Sequence, residues 1–120
     1  MTRVYLADPL LAERSAFRVL LLDMRMELVG ETSDWLTLYT QAGSACPDMI
    51  ILSWELLPKR HHSVIDRLRK DCPEARIVII VNQATRSQGW ETLGVDAIIS
   101  KEDFPRRVVE ILRMTVEDKV

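Results

Sequence analysis

Four polar residues follow short apolar runs: Asp8 after "VYLA", Ser53 after "MIIL", Asn82 after "IVIIV", and Lys101 just past "DAIIS". A carboxylate, a hydroxyl, a carboxamide and an ammonium offer a limited range of chemistry. Asp8 is the kind of ligand a hard cation such as Mg²⁺ uses, but such ions want octahedral oxygen donors and commonly take one or two carboxylates. Ser53 is a weak nucleophile unless a base activates it. The two histidines, His61 and His62, sit well past it, with no cysteine or acid at metal-ligand spacing. They read as the surface start of a helix. A serine-lysine hydrolase would need an oxyanion hole, and no Gly-rich turn is visible to supply one. The Gly-rich phosphate turn of a nucleotide site is also absent. The expectation is therefore no metal and no cofactor, with Ser53 as a structural hydroxyl and Asp8 and Lys101 as an ion pair.

These residues meet only if the elements carrying them bring them together. Arg3–Ala7 reads as a strand, with Pro9 in the first turn of a helix. Phe17, Leu20, Leu21 and Met24 recur at helical spacing. Met26–Val29 reads as a second strand closed by Gly30, and Thr32, Ser33 or Asp34 can cap the next helix. That helix repeats the spacing through Trp35, Leu38, Tyr39 and Ala42. Met49–Leu52 and Arg76–Val81 are apolar without alternation, as in strands buried on both faces. Between them, Val64, Ile65 and Leu68 mark a third helix. A short helix is expected over Arg86–Leu93, a strand over Ala97–Ile99, and a last helix carrying Val108, Ile111 and Leu112. Strand and helix alternate five times, which implies a parallel sheet covered on both sides. Right-handed crossovers then place every strand-to-helix loop on one edge, so the four polar residues should converge.

The bulk properties fit one domain over residues 1–120. The chain is 48% hydrophobic and 28% charged, enough apolar residue for a core without metal or disulfide. A net charge of −2 gives no electrostatic footprint for nucleic acid or an anionic membrane. No signal peptide and no membrane span is visible, so a cytoplasmic location is expected. Two cysteines, Cys46 in "ACPD" and Cys72 in "DCPE", are too few for a disulfide framework. They read as ordinary thiols, close together if the strands that follow them are neighbours.

The pieces "VYLADPLLAERSAFRVLL", "ELVGET", "PDMIILSWELLP", "ARIVIIVN" and "GVDAIISKEDFP", in this order and spacing, resemble the receiver domain of bacterial two-component response regulators. The resemblance is to the chemotaxis-regulator-like type and closest to receivers that precede helix-turn-helix output domains. It implies a flavodoxin-like (βα)5 fold, a doubly wound parallel five-stranded sheet in the order 2-1-3-4-5. It also implies a pocket that accepts a phosphoryl group on an aspartate, with Mg²⁺ bound beside it. Matched residue by residue, that pocket is degenerate. Asp8 keeps the first acidic position, but Pro9 stands at the second. Ser53 stands at the acceptor position, Asn82 replaces a hydroxyl residue, and Gln83 follows where a small residue is usual. Lys101 is kept, and Ile98 takes the aromatic switch position. The loop after Ser53 runs one residue longer than usual before Pro58.

These departures predict weak Mg²⁺ affinity, no phosphoryl transfer to Ser53, and a plugged remnant pocket in which Asp8 and Lys101 pair directly. The function expected is a non-enzymatic, phosphorylation-independent receiver-like module in signalling or transcription control. It would act through contact with a protein partner or a second copy, not with nucleic acid or a membrane. The resemblance places a homodimer face on the fourth helix, fifth strand and fifth helix, with Trp90, Arg106, Arg107, Glu110 and Arg113 on it. Trp54 is divided evenly between core packing and an exposed anchor. Two alternatives are phosphorylation at another residue, such as Glu55 or Asp48, and a small-ligand module.

Overall fold

The computed structural model describes residues 1–57, 61–82 and 94–117. Gln83, Trp90 and the helix expected over Arg86–Leu93 lie outside the described residues. The elements in order are β1 (Arg3–Ala7), α1 (Leu11–Asp23), β2 (Glu27–Thr32), α2 (Trp35–Ala45) and β3 (Met49–Ser53). Then follow α3 (His61–Asp71), β4 (Arg76–Val81), β5 (Ala97–Ser100) and α4 (Arg106–Glu117). His61 and His62 do open a helix. The five strands form one parallel sheet in the order β2-β1-β3-β4-β5, as expected.

The unbroken apolar runs feed two cores at once, because successive strand side chains point to opposite faces. Tyr5, Ile50, Leu52, Ile77 and Ile79 pack on one face with Leu38, Ala42, Ile65 and Leu68 of α2 and α3. Leu6, Ile51, Val78, Ile80 and Ile99 pack on the other with Phe17, Leu21, Val108 and Leu112 of α1 and α4. Burying each large aliphatic side chain contributes about 1.5–3 kcal/mol, and β3 is buried along its whole length. This strand therefore fixes the position of whatever follows it.

Two elements depart from the sequence reading. β2 starts at Glu27 and runs through Gly30 to Thr32, instead of spanning Met26–Val29. Its start is moved by the end of α1. Arg25 takes a left-handed φ of 58°, and the Met26 N–H donates to the Leu21 carbonyl at 2.9 Å. That pattern ties Met26 to the helix end. Gly30 does not stop the strand because it pairs with Tyr5, next to a register shift between Val4 and Tyr5. A Cβ there would lie 2.6 Å from Cε2 of Tyr5. The second departure is at Pro9, which lies ahead of the helix, not in its first turn. Leu10 is the N-cap residue, and its N–H is held by Oδ1 of Asp8 at 2.9 Å. At α2 the cap is Asp34, whose Oδ1 accepts from the Thr37 N–H at 2.7 Å.

Candidate functional site

The site lies at the carboxyl edge of the sheet, where β1, β3, β4 and β5 end. Asp8, directly after β1, is fully buried, as is Ser53 at the last position of β3. Ser53 pairs in register with Ile80 of β4, and Asn82 follows β4 half-buried. Lys101 begins a 3-10 turn, Lys101–Asp103, immediately after β5. Parallel topology thus brings the predicted residues to one rim.

The contacts differ from the expected ones. Lys101 does not pair directly with Asp8. Its Nζ lies 2.7 Å from Oε1 of Glu13 and also contacts the Glu55 carboxylate. Glu13 comes from the first turn of α1, where an acidic side chain complements the exposed backbone N–H groups. The expected direct pair of Asp8 with Lys101 is corrected: Glu13 and Glu55 hold the ammonium instead. Position in the first turn of α1 was the available signal for Glu13. Glu55 follows the end of β3 by two residues, but only the fold of the turn could show that it points inward.

Oδ2 of Asp8 and Oε2 of Glu13 are both buried without a donor, and the two carboxyls shift each other's protonation. Burial and the Glu13 carboxyl push Asp8 up to about 7, against the Leu10 N–H and the Lys101 charge. Burial also acts on Glu13, but Asp8 and Lys101 outweigh it and hold Glu13 below its ordinary value. Lys101 is raised despite burial, because Glu13 and Glu55 face it. Two carboxylates thus hold the one ammonium, with the Asp8 carboxyl beside them.

Ser53 has a structural task. Its Oγ accepts the Glu55 N–H at 3.3 Å, capping the 3-10 turn Trp54–Leu56. That turn is what carries Glu55 to Lys101. Trp54 packs half-buried against the α2 and α3 core, which decides for packing over an exposed anchor. Ile98 is half-buried against the same core. Asp48 sits at the opposite edge of the sheet, where its Oδ2 accepts the Arg3 N–H at 2.8 Å. It is therefore removed from the rim as a phosphoryl acceptor.

Mg²⁺, which the fold suggests, does not fit this donor set. Pro9 next to Asp8 offers no side-chain oxygen, the Ser53 hydroxyl is used as a cap, and the Glu13 and Glu55 carboxylates are neutralised by an ammonium in their midst. Among the described residues no group of three His, Cys, Asp or Glu side chains is arranged to hold a metal ion.

On α4, Arg106, Arg107, Glu110 and Arg113 are exposed, and Arg107 Nη1 lies 2.9 Å from Glu110 Oε2. Arg106, Glu110 and Arg113 border a groove with Leu20 of α1 and Met24 just after it, so these three lie on the α1 flank of the helix.

No family model and no curated protein matches the chain. Solved structures do. A receiver domain of the response regulator AraT from Geobacillus stearothermophilus is 20% identical with a TM-score of 0.84, covering 98% of this chain and 94% of that one. A CheY-like receiver domain protein from Methanospirillum hungatei is 14% identical with a TM-score of 0.86, covering 99% and 96%. RcsB from Salmonella enterica serovar Typhimurium, solved on the rprA promoter with the phosphomimetic BeF3−, is 16% identical with a TM-score of 0.83, covering 97% and 99%. The chain therefore has the receiver fold.

Proposed function

We propose that this protein is a receiver-like signalling module of the cytoplasm that works without phosphoryl transfer, through contact with a protein partner or a second copy of itself. It is not an enzyme in this reading, and the domain itself binds neither nucleic acid nor membrane. The observation that carries the reading is the state of the rim. Ser53 stands at the end of β3 with its hydroxyl capping a turn, and Lys101 is held by Glu13 and Glu55. A neutral serine hydroxyl is a weak nucleophile at neutral pH, unlike the ionised carboxylate that forms an acyl phosphate. A lysine held by two carboxylates is not free to receive phosphoryl oxygens. The net charge of −2 agrees with a protein partner over nucleic acid. No helix among the described residues is long and apolar enough to cross a membrane.

The exposed charges of α4 support self-association. A two-fold pairing puts the same patch on both copies, so Glu110 of one copy can meet an arginine of the other. The reading is tested with acetyl phosphate and Mg²⁺, followed by intact mass. The expected result is no phosphoryl adduct. A mass gain of one phosphoryl group on the intact protein overturns the reading.

A further inference from the structure

We infer that Cys46 and Cys72 form a reversible intramolecular disulfide, a redox modification site that clamps α2 to α3 at the sheet edge opposite the carboxyl rim. Cys46 is the residue after α2, and Cys72 follows α3. Their sulfurs lie 3.6 Å apart, across 26 positions of sequence. β3 and β4, which follow the two cysteines, are neighbours in the sheet, and this brings the thiols together.

Two further observations separate this pair from incidental thiols. Cys46 takes φ 41° and ψ 64°, the left-handed C-cap conformation in which glycine is the usual residue. Glycine there would avoid the Cβ penalty, yet this position carries a thiol beside Cys72. The two cysteines also differ in access: Cys46 is exposed and Cys72 is only 2% exposed. The Cys72 thiol donates to the Ala42 carbonyl at 3.3 Å and faces the Cys46 sulfur. Burial, with the Cys46 contact second, pushes it up to about 11. An oxidant therefore reaches Cys46 first, and Cys72 is placed to resolve the product.

With a peroxide as oxidant, the Cys46 thiolate attacks one peroxide oxygen, and the O–O bond breaks as hydroxide leaves. Cys46 is oxidised to a sulfenic acid and the peroxide is reduced to water. Cys72 gives up its proton and attacks the Cys46 sulfur. The S–S bond forms as the S–O bond breaks, and the departing hydroxide takes that proton. Two thiols and one peroxide thus yield one disulfide and two waters. A disulfide reductant reverses the bridge by thiol exchange.

The folded wild-type protein is treated with hydrogen peroxide, its free thiols are blocked with iodoacetamide, and it is unfolded and digested without reductant. The expected product is monomeric, with the Cys46 and Cys72 peptides linked and neither alkylated. Chains joined through Cys46, Cys46 oxidised beyond the sulfenic acid with Cys72 still a thiol, or no reaction at either residue would overturn the inference. In Cys72→Ser, the sulfenic acid on Cys46 should persist long enough for dimedone to trap it, and in Cys46→Ser, Cys72 should stay reduced. Oxidation of Cys72 at the wild-type rate in Cys46→Ser counts against it. A glutathione titration of the wild type needs no variant to fold. The bridge should be favoured at least about tenfold more in the folded chain than in denaturant, about 30 mV in potential; equal partition also overturns the inference.

Discussion

At the scale of single residues, Asp8 is a carboxylic acid whose titration is raised to about 7 by burial and by its neighbour Glu13. The linkage has a definite sign. Asp8 is raised from 3.8 to about 7, so the folded state binds its proton more tightly than the unfolded chain does. This contribution to stability is fully present below the unfolded value and is lost as pH rises through the folded one. Asp8→Asn keeps an oxygen for the Leu10 N–H and gives Glu13 a permanent donor. Its melting temperature should therefore gain on that of the wild type between pH 5 and 8, with the larger advantage at pH 8. A constant difference across the range would show that no proton is held there. Ser53→Asp adds a buried carboxyl to a rim whose carboxyls already outnumber its one ammonium. It should melt below wild type at pH 8 and recover in part with about 10 mM Mg²⁺, a hard cation suited to carboxylate oxygens. Wild type should not respond to Mg²⁺. A thermal-shift series with both proteins checks the pair.

At the scale of elements, legibility followed side-chain pattern. β3 and β4 were readable because unbroken apolar runs suit central parallel strands. β2 was readable as a strand but its end was not, because Gly30 reads locally as a strand end, while the reason for it lies on another strand. Tyr5 is buried, its hydroxyl bonds to Gln41, and its ring occupies the space a side chain on Gly30 would need. Gly30→Ala should therefore cost about 1–3 kcal/mol, the usual range for an overpacked core, measured by urea denaturation. The same substitution in a Tyr5→Leu background should cost clearly less than in wild type. Equal costs would move the cause from ring contact to backbone. The start of α1 was misread for a related reason: Pro9 is compatible with a first turn, but the Asp8 side chain captures the Leu10 N–H and delays the helix.

At the scale of the whole molecule, the alternation of strand and helix with right-handed crossovers was enough to bring Asp8, Ser53, Asn82 and Lys101 to one rim, and that alternation was legible. The choice of partner for Lys101 was not. A long flexible side chain selects among carboxylates a few ångströms apart, and no spacing in the sequence ranks Asp8 against Glu13 and Glu55. The same choice bears on signalling. The rim holds Lys101 in contact with Glu13 and Glu55, and under the proposed function no added phosphoryl group sets the state of the α4 face. Association through α4 should then depend on concentration and salt but not on a phosphoryl donor. The face mixes Arg106, Arg107 and Arg113 with Glu110. Surface charge pairs weaken as the screening length falls from about 10 Å at 0.1 M salt to 3 Å at 1 M. Sedimentation across a concentration series should therefore show self-association that weakens at high salt. Acetyl phosphate with Mg²⁺ should leave the distribution unchanged. Glu110→Arg makes the face uniformly basic and should weaken association by about tenfold, since like charges face each other across a two-fold contact. A distribution that shifts on addition of the phosphoryl donor would mean that the rim still communicates with α4, and that the pocket is not a closed remnant.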